Sequence, residues 1–182
     1  MLKQCEEVPV VYPAGSSVAD FDLTWWVAHT KPRQEKAFAR DLLAKDISYF
    51  LPLREKVSVS RGRKLRSLLP LFPSYVFVCS DGDDRSDFYR NGRLVRVLTV
   101  PDQKTLQSEL CQLHKALEGT SHLSPWRFLP EGSRCRVHSG PLRGVEGLVD
   151  RHRGAARLVL KIDMLGQAVA LEIDAGLLEP AG

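Results

Sequence analysis

The sequence predicts an α+β fold in two parts, an antiparallel sheet flanked by helices and then a small β-barrel. The run Leu71-Phe72-Pro73-Ser74-Tyr75-Val76-Phe77-Val78 is apolar at both parities, which indicates a central strand buried on both faces. A leucine stripe over residues 106–117 indicates an amphipathic helix. After a segment rich in proline and glycine, short apolar stretches separated by glycine turns are typical of a small barrel.

The 182 residues divide by composition into four segments. We expect a flexible tail over residues 1–20, because Pro, Gly, Ser and Glu are mixed there without periodicity. A first domain is expected over residues 21–118, a linker over 119–130 and the barrel domain over 131–182. A segment as short as the last one buries only a modest core.

The first domain opens with a predicted strand over residues 23–29. A helix is predicted over residues 32–45, because Pro32 is tolerated in a first turn and apolar residues recur four apart. A second strand is predicted over residues 47–53, with Pro52 interrupting it.

Residues 54–66 concentrate positive charge, with six Lys or Arg against the single acid Glu55. Within this segment, the alternation of Val57-Ser58-Val59-Ser60 predicts a strand, and the dipeptide Arg61-Gly62 predicts the tip of a hairpin. Such a hairpin could lie along a phosphate backbone through non-specific, salt-sensitive contacts. The alternative is a solvated loop whose charge only keeps the protein soluble.

The central strand carries two rings at its start, Phe72 and Tyr75. Pro73 lacks an N–H, so ladder pairing is expected only after it. That position makes both rings candidates to stand at a rim. The alternative is that both are core residues.

The rest of the first domain is predicted as a strand over residues 93–100 and a helix opened by Asp102 as its N-cap. Leu106, Leu110, Leu113 and Leu117 form its apolar stripe, and Gly119 is a plausible end. We interpret these leucines as core against a sheet.

Composition excludes several classes of protein. No stretch approaches the ~18 apolar residues that span a bilayer, and the acidic start is not a signal peptide, so we expect a cytoplasmic protein. The net charge of +4 comes from residues 1–130, while the barrel segment is balanced. Four scattered cysteines are expected to be free thiols, and five histidines show no metal spacing. We therefore expect no cofactor, no metal and no enzymatic activity.

These motifs together resemble a known family. Trp25-Trp26-Val27, a helix, a basic hairpin and the 71–78 strand are similar to the N-terminal domain of the NusG family of transcription elongation factors. The stretch from Arg134 to Gly147, with Gly140-Pro141-Leu142-Arg143-Gly144 inside it, looks like a KOW motif at the start of an SH3-like barrel. The sequence from Val59 to Lys64 is most similar to the RfaH-like, operon-specific branch of that family.

The resemblance implies a binding factor for RNA polymerase that suppresses pausing or termination. It implies that Phe72, Tyr75 and His29 bind the clamp helices of the large polymerase subunit, with His29 standing where the RfaH-like branch has Tyr. It also implies that Lys31 and Gln34 face non-template DNA. Arg61, Arg63 and Lys64 match the basic hairpin of that branch, which the resemblance also assigns to nucleic acid. Residues 84–87 occupy the region of the polar gate-loop motif without matching it.

In the barrel, Leu165, Gly166 and Gln167 stand where the NusG loop has Phe-Gly-Arg. The resemblance implies that this loop binds Rho or a small-subunit ribosomal protein, and that the chain is a monomer. The alternative function is an RNA-binding or ribosome-associated KOW module, which would be expected to have a basic barrel.

Overall fold

The structure is a computed structural model that describes residues 8–60, 62–82, 88–120, 123–126, 132–152 and 155–181. Its contacts divide the chain into two compact units. The first unit comprises Met1–Leu51 and Pro73–Pro101, and the second comprises Pro52–Phe72 and Asp102–Gly182. The α+β class is confirmed, and the C-terminal part is β-rich as predicted.

The first unit is built on an antiparallel five-stranded sheet in the order β1-β3-β6-β2-β7. The strands are β1 (Val11–Tyr12), β2 (Thr24–Thr30), β3 (Ser48–Phe50), β6 (Tyr75–Ser80) and β7 (Leu94–Thr99). The central position of β6 confirms the interpretation of the 71–78 run. It pairs with β2 and β3, and Val76, Phe77 and Val78 are all fully buried. The ladder begins after Pro73, as expected of a residue without an N–H.

Helix α1 spans Glu35–Leu43, which is shorter at both ends than the predicted 32–45. Arg33 has a left-handed φ of 64°, so the helical backbone cannot begin before Gln34, the N-cap. At the other end Asp46 has φ 58° and the Ile47 N–H turns back to the Leu42 carbonyl. The helix packs against β3 and β6.

The prediction of a flexible tail over residues 1–20 is wrong for the described residues 8–20. Val11 and Tyr12 pair with Phe50 and Tyr49 of β3, and Val18 is fully buried in a short 3-10 turn. The physical reason is that apolar residues in this stretch add to the core, with the Tyr12 ring stacking on Tyr49 at 5.9 Å.

The second unit contains the basic hairpin, formed by β4 (Leu53–Ser60) and β5 (Arg63–Pro70). Gly62 at its tip has φ 75°, a backbone conformation that glycine adopts without strain. The predicted strand over 47–53 is therefore two strands, β3 and β4, separated at Leu51 and Pro52.

Helix α2 spans Gln103–Gly119, with Asp102 as its N-cap as predicted. The Asp102 carboxylate accepts the Thr105 N–H at 3.0 Å. Leu106, Leu110 and Leu113 are buried, which confirms the core interpretation of the stripe. In the second unit the helix packs against β11 (Ala155–Ile162).

The C-terminal sheet has six antiparallel strands in the order β13-β9-β10-β11-β12-β8. The remaining strands are β8 (Ser124–Trp126), β9 (Ser133–Val137), β10 (Glu146–His152), β12 (Gln167–Ile173) and β13 (Leu178–Pro180). Gly147 is required by close packing, because a Cβ there would lie 2.6 Å from the Val159 carbonyl oxygen.

Part of the predicted linker over 119–130 is instead a strand. β8 pairs with β12 at Ala168, Val169 and Ala170, and Leu123 beside it is buried. Pro125 is accommodated because β8 is an edge strand, where a missing N–H breaks no ladder. Residues 121–122 and 127–131 lie outside the described residues. The predicted boundaries at 118 and 131 remain a prediction.

Candidate functional site

Two rings at the end of the first unit's sheet form a stacked pair. His29 on β2 lies directly opposite Tyr75 on β6. Their ring centroids are 5.0 Å apart, with 18° between the planes. Both side chains are half-buried, so the pair combines a fixed geometry with accessible surface.

The turn that precedes Tyr75 is fixed by hydrogen bonds on both sides. Ser74 has a left-handed φ of 68°. Its N–H donates to the Glu35 carboxylate at 2.7 Å, and its carbonyl accepts the Thr30 N–H at 2.8 Å. Glu35 is 6% exposed, so this bond is largely shielded from water. The Tyr75 ring therefore leaves the backbone from a rigid position.

A cation lies beside the ring pair on the sheet. Arg96 of β7 is exposed and is the cross-strand neighbour of His29. Val95, next to it on the same edge strand, is 54% exposed. The end of the sheet thus offers aromatic and cationic surface on the face of the ring pair, while Val95 points to the opposite face.

The loop between β2 and α1 carries hydrogen-bond donors. Lys31 and Arg33 are exposed, and Gln34 is half-buried. The Gln34 amide oxygen accepts a hydrogen bond of 2.7 Å from Arg93, whose Nε also donates to Asp41 at 2.6 Å. The Lys31 N–H donates to the Arg93 carbonyl at 2.8 Å. Arg93 therefore holds this loop at two points and helix α1 at a third.

The hairpin of the second unit presents charge together with apolar surface. Arg63 and Lys64 are exposed, as predicted, while Arg61 lies outside the described residues. Val59 lies opposite Lys64 and Val57 opposite Arg66, so these four side chains share one face. The two valines are 69% and 54% exposed. The hairpin is thus a cationic surface with an aliphatic component.

The loop at 165–167 in the second unit follows a 3-10 turn over Asp163–Leu165. Gly166 ends that turn with φ 58° and is exposed. The Glu109 carboxylate of α2 accepts the Asp163 N–H at 3.1 and 3.2 Å. Burial raises the pKa of Glu109 to about 7, and the nearby Asp163 charge adds to the effect.

A family model described as "Transcription termination factor nusG" matches residues 23–106, which include β2, α1, the ring pair and the loop at 31–34. This part of the chain is similar to the NusG family. The match supports a role in transcription for the domain that contains these residues.

Two solved structures are also similar to the chain. One concerns domain interaction in Thermotoga maritima NusG. It is 16% identical with a TM-score of 0.45, and the match covers 87% of this chain and 97% of that chain. The other is conformation B of the MjSpt4:Spt5 complex, also 16% identical with the same coverage and a TM-score of 0.29. A search of curated proteins found no match.

Within this NusG-family domain, the structure brings together some of the residues named from the sequence. Tyr75 and His29 stack on each other, and their role in binding a partner stays a prediction. Phe72 is only 1% exposed, so a partner cannot touch its ring without a local rearrangement. The region at 84–87 lies outside the described residues.

Sequence analysis missed Arg93, Asp41 and Arg96. No spacing links Arg93 to Gln34 or Asp41, because these contacts join segments 59 and 52 residues apart. Arg96 carries a weak signal, as a charged residue within an otherwise apolar strand. The exposed valines of the hairpin were visible as an alternating pattern but were not interpreted as surface.

Among the described residues no cluster of His, Cys, Asp or Glu could hold a metal ion. Over the same residues, no helix is long and apolar enough to cross a membrane. Cys79, Cys111 and Cys135 form no disulfide bond, and burial raises the pKa of the Cys79 thiol to about 11. That thiol is thus a packing group and not a nucleophile.

Proposed function

We propose that this NusG-family protein binds RNA polymerase at the clamp helices of the large subunit and suppresses pausing or termination on a subset of operons. The observation that carries the proposal is the stacked His29–Tyr75 pair on the rigid end of the sheet. Tyrosine on a fixed backbone is a preferred binding anchor, because it supplies a large contact area at little cost in entropy. The bonds at Ser74 support this assignment.

The proposed contact with nucleic acid uses two groups of donors. Lys31 and Gln34 in the first unit and Arg63 and Lys64 in the hairpin are the residues assigned to non-template DNA, together with Arg61. Contacts with phosphate set affinity and register, whereas contacts with base edges set sequence preference. The exposed cations of the hairpin fit the first task.

The proposed partner loop of the C-terminal domain is 165–167. Leu165 and Gln167 are half-buried and Gly166 is exposed, so the accessible surface of the loop is small. We assign to it a protein partner, either Rho or a small-subunit ribosomal protein.

The proposal is tested by measuring affinity for a purified paused elongation complex. We expect Tyr75→Ala to weaken binding by at least about 2 kcal/mol, the size of a hot-spot contact. Leu23→Ala is the matched control, because Leu23 is an exposed apolar residue of the same unit, 47% exposed, away from the ring pair in sequence. Thermal melting of both variants separates loss of binding from loss of fold.

Two results would contradict the proposal. One is wild-type protein that does not bind the complex. The other is a folded Tyr75→Ala protein that binds as tightly as wild type. In either case the alternative, an RNA-binding or ribosome-associated KOW module, should be tested by binding to structured RNA and to the small ribosomal subunit.

A further inference from the structure

The second unit contains a cavity that the proposed contacts with polymerase and DNA do not use. Its volume is about 350 Å³, at the low end of the roughly 300–1,000 Å³ that is usual for small-molecule sites. Leu148 and Val159 give it apolar walls, and Gly147 leaves one part of the wall without a side chain. Its polar lining comes from α2 and from strands β9, β10 and β11. An apolar cavity with a few convergent polar groups is the usual form of a ligand site.

Two side chains of α2 that line this cavity have opposite hydrogen-bonding polarity. The Gln112 side-chain oxygen accepts the Glu146 N–H at 2.9 Å, so the two N–H donors of the same amide are left for a ligand. The Glu109 carboxylate accepts the Asp163 N–H and has further acceptor sites but, when ionised, no donor. Because the two residues are three positions apart, they are neighbours on one face of the helix. The helix therefore offers a donor beside an acceptor.

Strand β9 adds a cation to the lining. Lys161 is paired with Asp163 at 2.9 Å, and Glu146 is paired with Arg136. Arg134 is exposed, and within the part of the chain that the structure describes its guanidinium has no ion-pair partner. The planar fork of arginine suits the oxygens of a phosphate or a carboxylate. The lining thus has one positive charge that a bound anion can neutralise.

Guanine is the base whose hydrogen-bonding edge matches the helix side of the cavity. Its O6 acceptor lies beside the N1–H and N2 amino donors, whereas adenine presents an amino donor at the position of O6. We propose that the cavity binds a guanine nucleotide, with Gln112 donating to O6, Glu109 accepting from N1–H and the N2 amino group, and Arg134 binding the phosphate. Adenine would turn its amino donor towards the donors of Gln112. This site is independent of the proposed polymerase contact.

The experiment titrates the full-length protein with GMP and AMP by isothermal calorimetry at about pH 8, where Glu109 is mostly charged. We expect GMP to bind about 5- to 100-fold more tightly than AMP, the range for one well-placed bidentate base contact. IMP keeps O6 and N1–H but lacks the N2 amino group, so its affinity should lie between the two. Guanosine lacks the phosphate and should bind more weakly than GMP.

Two variants with matched controls test the individual contacts. Glu109→Gln replaces the carboxylate by an amide and should reduce the GMP-to-AMP affinity ratio several-fold, whereas Glu118→Gln on the exposed surface of α2 should keep it. Arg134→Ala should weaken GMP binding by about tenfold or more, the size of a lost hydrogen bond to a charged group, and leave guanosine binding unchanged. Arg143→Ala, an exposed arginine outside the cavity lining, is its control. Melting curves establish that each variant is folded.

The GMP-to-AMP affinity ratio should also depend on pH. Burial raises the pKa of Glu109 to about 7, so its carboxylate is mostly protonated at about pH 6 and mostly charged at about pH 8. The charged groups near Glu109 are Asp163 and Lys161, and Arg134 and Glu146 line the same cavity. A protonated carboxyl accepts less well from guanine, so the ratio should fall on acidification. The phosphate is common to both nucleotides and cancels in the ratio.

Three results would overturn the inference. The first is no heat of binding for GMP at concentrations up to about 1 mM, the weak limit of a specific small-molecule site. The second is equal affinity for GMP and AMP, which would exclude recognition of the guanine edge. The third is a folded Glu109→Gln protein that keeps the wild-type ratio at both pH values. None of these results bears on the affinity for the elongation complex, so the proposed function is tested separately.

Discussion

Phe72 and Tyr75 lie three positions apart in the sequence, and the backbone between them separates their roles. Phe72 is 1% exposed, while Tyr75 is half-buried and stacks on His29. The left-handed turn at Ser74 lies between them, held by Glu35. The family resemblance placed both rings on one binding surface, but residue-level packing leaves only Tyr75 and His29 accessible.

Phe72→Ala should therefore act on stability. Truncating a buried Phe removes apolar contacts and leaves a cavity, so we expect a loss of about 3–5 kcal/mol in the free energy of unfolding. Urea denaturation monitored by circular dichroism measures it. Tyr75 is half-buried, so Tyr75→Ala removes fewer buried contacts and should lower the free energy of unfolding clearly less. Equal losses for the two variants would contradict the exposures described above.

Glu109 should make stability depend on pH. Burial raises its pKa from the ordinary 4.5 to about 7, so the folded state binds the proton more tightly than the unfolded state. The stability that Glu109 contributes is fully present below about pH 4.5 and is lost as the pH rises through about 7. Because the carboxylate is only half-buried, solvent screening limits the effect to about 1 kcal/mol.

Glu109→Gln removes the titration and keeps an oxygen that can accept the Asp163 N–H. We expect the variant to be more stable than wild type at pH 8 and to lose the stability change between pH 4.5 and 7. Chemical denaturation at a series of pH values checks this. Parallel pH profiles for the two proteins would show that Glu109 does not titrate in this range.

At the scale of elements, strands in the second unit approach each other so closely that side-chain size decides whether they pair. A Cβ at Gly147 of β10 would lie 2.6 Å from the Val159 carbonyl oxygen of β11, which is backbone and cannot move aside cheaply. We expect Gly147→Ala to destabilise the protein by about 1–3 kcal/mol, the usual cost of overpacking.

The control for Gly147→Ala is Gly82→Ala, because a Cβ at Gly82 meets nothing within 4 Å. Thermal melts of the two variants beside wild type make the comparison. If Gly147→Ala melts with wild type, the approach of β10 to β11 must be looser than described.

In the hairpin of β4 and β5, the contribution of a single charge to nucleic-acid binding should be measurable. Lys64 is exposed and faces no acid across the strands, since Val59 is its partner. If it neutralises one phosphate, Lys64→Gln should lower the slope of log affinity against log salt by about 0.7 for a single strand. Lys115→Gln on the exposed surface of α2 is the control. An unchanged slope for Lys64→Gln would favour the alternative of a merely solvated loop.

At the scale of the whole molecule, the elements that were predicted correctly from the sequence are those that a strong local pattern determines. The 71–78 run, the α2 stripe and the Asp102 cap were predicted because apolar parity and local capping are local properties. The strands at Val11–Tyr12 and Ser124–Trp126 were missed because they are short and stabilised by partners 39 and 44 residues away. The Arg93 bridge is non-local in the same way. In the candidate site, the sequence left open whether Phe72 and Tyr75 are rim or core residues, and only the structure separates a buried Phe72 from a half-buried Tyr75.

The grouping of α2 with the C-terminal sheet gives a prediction about the domains. Sequence analysis places the boundary between residues 118 and 131, whereas the contacts place residues 102–182 in one unit with the hairpin. Two side chains of α2 accept backbone N–H groups of this unit. Glu109 accepts from Asp163 in the 3-10 turn, and Gln112 accepts from Glu146 at the start of β10 at 2.9 Å. β8 adds a ladder to β12. A fragment that begins at 131 lacks all of these bonds.

We expect the fragment 102–182 to melt at least about 8 °C above 131–182, because two or more hydrogen bonds at about 1 kcal/mol each are lost from a small domain. Circular dichroism melts of the two fragments, neither of which contains the hairpin, provide the comparison. Glu109→Ala in the longer fragment should remove part of the difference, since it deletes one bond to the sheet. Equal melting temperatures would place α2 with the first domain, because the helix would then add nothing to the sheet that it contacts.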